Sequence, residues 1–362
     1  MKSIKELYSI CIKDEMGLTF DDVLLAPQYS DIDSRSEVAI HTPITKERRI
    51  GLPFISANMD TVTESKMAEI LIRAGSAGVI HRYMSYEKQI EEVKKLSPPD
   101  STGASYVIAA AVGIHNGVIE HAKNLVGAGA NVIVVDVAHG FYKKVGDLVR
   151  SLVALNLVGP WNDPVEIIAG NVATYEATKF LCEAGASAVK VGVGPGSLCS
   201  TRVVTGHGVP QLLAICTASI AAAEYGVPII ADGGIRNSGD IVKALAAGAS
   251  TVMCGSLFAG TEESPGDVYS DGTGKYKVYR GMASREAQAE FYGNDPEAPE
   301  GVSTTIPYKG PVTPIVTQLA AGIRSGLSYS GARNITELRE KAEWLRVTSN
   351  GLRESVPHLL LK

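Results

Sequence analysis

Eight short apolar runs recur along this chain, at residues 53–57, 77–81, 106–111, 132–137, 165–169, 188–192, 228–231 and 251–255. Most are rich in β-branched residues and apolar at nearly every position. A strand apolar on both sides of its pleat is buried on both faces, as in a parallel sheet covered by helices. Helical patterns at 64–74, 118–127, 174–184, 211–225 and 238–247 separate the runs, and several end at a glycine suited to a C-cap: Gly75, Gly185, Gly226 and Gly248. Eight alternating units predict an α/β fold, a (β/α)₈ TIM barrel. A doubly wound sheet is the alternative, but eight units of this length favour closure.

Two segments break the alternation. Residues 94–105 form a Pro/Ser/Gly-rich connection. Residues 264–311 are long, polar and glycine-rich, follow the eighth run, and open on a hairpin-like stretch. An insertion on the C-terminal face of a barrel is expected to be a lid or binding flap. The stretch 314–354 reads as two helices closing the barrel. The 362 residues are therefore expected to form one barrel domain, 1–362, with no second domain.

Charge and cysteine usage narrow the function. A net charge of −5 and no basic stripe give no field for nucleic acid or a membrane surface. Cys11, Cys182, Cys199, Cys216 and Cys254 are odd in number and widely spaced, which argues against a disulfide framework or a zinc site. With no 18-residue apolar run and no leader pattern, a cytoplasmic protein with reduced thiols is expected.

One of those thiols stands in a loop built for chemistry. The run Gly192-Val193-Gly194-Pro195-Gly196-Ser197-Leu198-Cys199-Ser200-Thr201-Arg202 follows a short apolar strand. Gly194 and Gly196 permit left-handed backbone and close approach. Thr201 offers a proton-handling hydroxyl and Arg202 an anion partner, so Cys199 reads as a nucleophile toward an anionic substrate. A random cysteine at a strand end is more often a buried structural residue; the loop around this one shifts the balance. Backbone carbonyls of such a turn can also hold a monovalent cation.

Further candidates stand at other strand ends. Ala231-Asp232-Gly233-Gly234-Ile235-Arg236 and Cys254-Gly255-Ser256 follow the last two strands, where barrels commonly bind phosphate through backbone N–H groups. Asp232, an acceptor, suits ribose hydroxyls instead. Ordinary strand-to-helix turns are the bland alternative. Asp136-Val137-Ala138-His139 and Gly170-Asn171 occupy corresponding positions, with Asp136 and Asn171 the better candidates and His139 weak alone. Tyr279-Arg280-Gly281-Met282 and Pro299-Glu300-Gly301 flank the flap. Glu300 suits reading a base edge or passing a proton through Thr201, and is otherwise a solvated loop glutamate. No G-x-G-x-x-G opens a helix in a Rossmann context.

Over nearly its whole length the chain resembles the IMP dehydrogenase/GMP reductase family. The resemblance is carried by Leu18-Thr19-Phe20-Asp21-Asp22-Val23-Leu24-Leu25, Ala57-Asn58-Met59-Asp60-Thr61-Val62, the Cys199 loop, residues 231–236, Ala259-Gly260-Thr261-Glu262 and Tyr308-Lys309-Gly310. It implies a homotetrameric barrel, a purine nucleotide substrate, a nicotinamide cofactor, and a covalent thioimidate between the cysteine and purine C2. By that resemblance Cys199, Thr201 and Glu300 are catalytic. Met59, Arg202, Asp232, Gly233, Gly234, Gly255, Ser256, Tyr279, Gly281, Met282 and Gly301 bind the nucleotide. Asp136, Ala138 and Asn171 face the cofactor, and carbonyls of Gly194, Gly196 and Cys199 hold potassium.

The two branches differ in the flap. Dehydrogenases carry a flap Arg-Tyr pair that activates water, and between Glu286 and Ile323 this chain has neither Arg nor His; Phe291-Tyr292 lack the arginine. Asn58 looks reductase-like, and the CBS modules usually inserted after the second helix are missing. Other features pull back. Residues 301–310, Ser328-Tyr329 and 351–355 are similar to bacterial dehydrogenases, Ser200 replaces a threonine, and Arg82 replaces a lysine of animal reductases. The reading that emerges is an NADPH-dependent GMP reductase. An NAD-dependent IMP dehydrogenase lacking CBS modules is the alternative, and a non-catalytic nucleotide sensor a remote third.

Overall fold

In the computed structural model, which describes residues 2–13, 17–96 and 106–357, the eight apolar runs become eight parallel strands. They are β1 (Phe54–Ser56), β2 (Ala77–Ile80), β3 (Ala109–Val112), β4 (Val132–Asp136), β5 (Glu166–Val172), β6 (Ala188–Val191), β7 (Ile229–Asp232) and β8 (Thr251–Cys254). Consecutive strands pair in register, and β8 pairs with β1 through Val252↔Phe54, Met253↔Ile55 and Cys254↔Ser56, closing a (β/α)₈ barrel. The doubly wound alternative is excluded.

Two-sided burial accounts for the composition of the strands. Ile55, Val79, Val134, Ile168, Ile230 and Met253 fill the barrel interior, while Phe54, Ile80, Ile133 and Val135 face the helical shell. The shell comprises α1 (Ser65–Arg73), α2 (Tyr86–Lys94), α3 (Val118–Gly127), α4 (Lys143–Ala154), α5 (Tyr175–Glu183), α6 (Gln211–Ala223), α7 (Ser238–Ala246) and α8 (Thr313–Tyr329). Side chains of Ser85, Thr174 and Asn237 accept N–H bonds that cap α2, α5 and α7. Gly75, Gly185, Gly226 and Gly248 take positive φ just beyond their helices, as the C-cap reading required.

Three features differ from the expectation. β3 begins at Ala109 rather than 106, and β5 runs on through Gly170, Asn171 and Val172. The stretch 314–354 is not two helices: α8 is followed by a helix at Ile335–Lys341, a strand at Trp344–Arg346 and a short helix at Ser349–Glu354. That strand pairs antiparallel with Val23–Leu25, over 300 residues earlier, a partner that local pattern cannot reveal. Most of the 94–105 connection lies outside the described residues.

A two-stranded hairpin, Thr42–Pro43 with Arg49–Ile50, plugs the barrel floor, contributing Ile44 and Ile50 to the interior. At the opposite end, the segment after β8 forms a three-stranded antiparallel sheet of Tyr269–Ser270, Lys275–Arg280 and Ser303–Pro307, with a helix at Arg285–Tyr292. Among the described residues no helix is long and apolar enough to cross a membrane.

α8 lies against α7 at a glycine. A Cβ on Gly326 would stand 2.6 Å from Val242 Cγ2, and its φ is not left-handed, so steric overlap alone should set the cost of a side chain there. Gly326→Val is expected to destabilise the protein by about 1–3 kcal/mol, read as a lower denaturant midpoint.

Candidate active site

The C-terminal strand ends and the flap enclose a pocket of about 630 Å³. The flap is stitched to the thiol loop by backbone bonds: Val302 N–H to Leu198 O at 3.0 Å, and Ser200 N–H to Glu300 O at 3.0 Å. Gly301 lies at the crossing, where a Cβ would come 3.0 Å from Ser284 N and 3.4 Å from Leu198 O, so the close approach requires glycine. This stitch brings Glu300 to a loop almost a hundred residues away. The Cys199 thiol donates to Thr201 Oγ1 at 3.2 Å, and the Thr201 hydroxyl donates to Glu300 Oε2 at 2.7 Å. Cys199 is exposed to the pocket, whereas Cys11, Cys182, Cys216 and Cys254 are buried. Burial pushes the Cys182 thiol up to about 11 and that of Cys216 still further.

Beneath the thiol loop is a group the sequence reading missed. Lys190, on β6, is 2% exposed. Its ammonium reaches Asp232 Oδ2 at 2.6 Å and Asp136 Oδ1 at 2.9 Å, and also donates to Asn171 Oδ1. Asn171 in turn donates to Asp232 Oδ2 at 2.9 Å and to Gly192 O at 2.8 Å. Burial alone would push the Lys190 pKa down and the Asp136 pKa up, but the opposite charges outweigh it. Lys190 is raised, and Asp136, facing Lys190 and Arg82, is lowered. The signal was there to read: one charged residue in a run otherwise buried on both faces.

The remaining candidates distribute clearly. Met59, Asp136, Ala138, Asn171, Gly194, Gly196, Asp232, Gly233 and Gly234 line the pocket, as do Gly255, Ser256, Tyr279, Gly281, Met282 and Gly301. Arg202 does not. Its guanidinium donates to Val209 O at 2.6 Å and Val193 O at 3.4 Å, bracing the loop from behind rather than meeting a substrate anion. His139 also lies outside the lining.

The flap meets the far wall through aromatic rings. Tyr83 stacks on Phe291 with centroids 4.6 Å apart, and Tyr292 packs edge-on to Tyr83 at 5.8 Å. Arg82 lies 5.0 Å above the Tyr83 ring and donates to Tyr292 Oη at 3.4 Å. An arginine absent from the flap sequence thus reaches the flap tyrosine from the loop after β2. Three of the flap's own cations are engaged elsewhere. Arg280 pairs with Asp60 and Glu290, Arg285 with Asp295, and Lys309 donates to Ser256 O.

The model of the IMP dehydrogenase / GMP reductase domain matches residues 17–358. The chain belongs to this family. Its members are purine nucleotide oxidoreductases. The chain is 39% identical to the inosine-5'-monophosphate dehydrogenase of Aquifex aeolicus over 479 aligned positions, covering 96% of each. It is 43% identical to that of Cryptosporidium parvum over 389 positions, covering 94% of this chain and 95% of the relative. A solved GMP reductase of Trypanosoma brucei, a cysteine-to-alanine variant in complex with guanosine 5'-monophosphate, superposes with a TM-score of 0.88 at 32% identity, covering 95% of this chain and 98% of that one. The Cryptosporidium alignment is short yet nearly complete, so a named dehydrogenase of similar length exists. Lack of an inserted module therefore does not separate the two reactions.

The Lys190 cluster carries a pH prediction. Asp136 has a depressed pKa, so its contribution is present above the ordinary carboxylate range and lost only on strong acidification. Lys190 has a raised pKa, so its contribution is present below the ordinary lysine range and lost only on strong alkalinisation. Wild-type stability from this cluster should be flat from about pH 5 to 9. Lys190→Met leaves two carboxylates without their cation and should cost about 3–5 kcal/mol. One carboxylate then titrates upward, so the variant should become more stable as pH falls, seen in Tm against pH.

Proposed function

We propose that the protein is a GMP reductase, converting GMP to IMP and ammonia with NADPH. The observation that carries the reading is the Cys199–Thr201–Glu300 chain, 3.2 and 2.7 Å, in a mouth whose flap arginines are engaged in ion pairs and whose Lys309 donates to a backbone carbonyl. Backbone N–H groups of Gly233, Gly234, Gly255 and Ser256 would hold the 5′-phosphate. Asp232 would take the ribose hydroxyls: its Oδ2 is held by Lys190 and Asn171, leaving Oδ1 for substrate. Met59, Tyr279, Gly281, Met282 and Gly301 would surround the base.

In this mechanism the Cys199 sulfur adds to C2 of GMP, and its proton passes to Thr201 and Glu300. The relay returns that proton to the 2-amino group, which leaves as ammonia and gives a thioimidate on Cys199. The cofactor supplies a hydride to C2. The C2–S bond then breaks, and Cys199 departs as thiolate with IMP released. Asp136, Ala138 and Asn171 would hold the nicotinamide end. Asp136 and Asn171 are fixed in advance by Lys190, and the volume of the mouth falls in the range of small-molecule sites. Carbonyls of Gly194, Gly196 and Cys199 would hold potassium. That of Gly196 already accepts the Cys199 N–H, while those of Gly194 and Cys199 are open among the described residues. A homotetramer accords with the exposure of Tyr29 and Val203, at 89% and 88%.

The second reading is IMP dehydrogenase, which the Arg82–Tyr292 contact favours: a cation and a phenol at the wall of the mouth could orient water toward the covalent intermediate. A paired assay separates them. GMP with NADPH should show loss of reduced cofactor; IMP with NAD should show none. Formation of XMP and reduced cofactor in the second mixture would overturn the reductase reading. Cys199→Ala should abolish turnover while keeping nucleotide affinity within a few-fold by calorimetry. Glu300→Gln should lower kcat by roughly 10²–10⁴ through loss of proton transfer.

A further inference from the structure

At the end of the barrel opposite the thiol, a second cavity of about 370 Å³ opens beside the floor hairpin. It is walled by that hairpin, the N-terminal ends of β7 and β8, α6, and the helix Ile335–Lys341. Arg49 of the hairpin lines it, and two further cations reach it from segments almost 300 residues apart: Lys46 in the hairpin turn and Arg339 on the helix. Neither meets a carboxylate. Arg339 donates from Nε to Leu245 O at 3.2 Å and from Nη2 to Ala249 O at 2.7 Å, at the C-terminal end of α7. Its other amino group bonds nothing among the described residues, and burial pushes its pKa down to about 10. The Lys46 ammonium likewise makes no hydrogen bond or ion pair among the described residues.

Thr45 lines it too, its hydroxyl donating to Glu166, and two further hydroxyls complete the lining. Ser219 and Ser250 are 9% and 5% exposed, and neither Oγ has a partner among the described residues. Among the described residues no Asp or Glu lines the cavity. The neighbouring Arg48, in the same hairpin, shows the contrast: it is paired with Asp163 at 2.7 Å and Glu166 at 3.5 Å. A buried cation normally has its counter-charge inside the protein, as Arg48 does. At Arg339 two carbonyls supply part of it, and the remaining donor faces a cavity shared with a second cation and two free hydroxyls.

We propose that this floor cavity is a binding site for a phosphate-bearing small molecule, with Lys46 and Arg339 holding the phosphate and Ser219 and Ser250 donating to it. A dianion matches two unpaired cations, and a guanidinium with free N–H donors matches phosphate geometry. The volume, within the range of small-ligand sites, leaves room for more than the phosphate itself. The site does not depend on which reaction the mouth performs.

The probe is inorganic pyrophosphate, titrated calorimetrically into the full chain with the mouth saturated by GMP or IMP, whichever binds. Saturable binding is expected, weakened by about tenfold or more in Lys46→Met and in Arg339→Gln. Lys46 is exposed, so its variant should fold even if Arg339→Gln does not, and Lys46→Glu should abolish binding. No binding with the mouth saturated, or binding equally tight in Lys46→Met and Lys46→Glu, would overturn the proposal.

Discussion

Pairing of Met253 with Ile55 across the β8–β1 seam closes the barrel, and closure decides where every polar group of the strands can go. A closed parallel barrel leaves no sheet edge, and its interior is filled with Ile, Val, Ala and Met. Polar side chains are therefore driven to the two ends. At the C-terminal end they converge from strands distant in sequence: Asp136 from β4, Asn171 from β5, Lys190 from β6 and Asp232 from β7. The convergence follows from closure and needs no local signal in any one segment.

Lys190 makes that convergence tolerable. Two half-buried carboxylates aimed into one mouth would repel. An ammonium between them offsets that repulsion, and Asn171 donates to Asp232 and accepts from Lys190. Asp232 and Asp136 are thereby held in fixed positions, one toward the ribose side and one toward the cofactor side of the proposed site. Preorganisation of this kind matters more than contact number, because groups already oriented need not reorganise when substrate arrives.

The barrel was legible because its signal is local and repeated: each strand is an apolar run, and several helices carry their own cap, as Ser85, Thr174 and Asn237 do for α2, α5 and α7. Where the reading missed, the determinant was elsewhere in the chain. β5 extends through Gly170 and Asn171 because Gly170 pairs with Lys190 on β6, so residues that read as a loop belong to the sheet. Trp344–Arg346 is a strand only because Val23–Leu25 supplies a partner. Arg202 looked like a substrate residue because it follows the nucleophile, yet Gly194 and Gly208 leave space for its stem and its donors reach Val193 and Val209. Sequence adjacency placed it next to the chemistry, and backbone direction turned it away. The Cys199 loop and the glycine loops that line the mouth were read from residue type and position at strand ends, where a barrel gathers its site, whereas Glu300 was read in the flap and through the family resemblance.

The direction of the reaction is a property of the flap rather than of the barrel. In the proposed mechanism Cys199, Thr201 and Glu300 would form and resolve a covalent adduct on purine C2 in either sense, since proton transfer through Thr201 is reversible. What differs is the second partner: water must be activated to make XMP, whereas ammonia must be expelled to make IMP. Activating water calls for a base or an oriented cation over the adduct. Here the flap's arginines are bound to Asp60, Glu290 and Asp295, and its lysine at 309 to backbone carbonyls. The one cation that reaches a flap phenol, Arg82, is anchored outside the flap, over the Tyr83 ring and within the field of Asp136. A guanidinium so placed serves first to clasp the flap to the barrel wall. That geometry favours a mouth held shut around a nucleotide and cofactor over one that must admit and orient water.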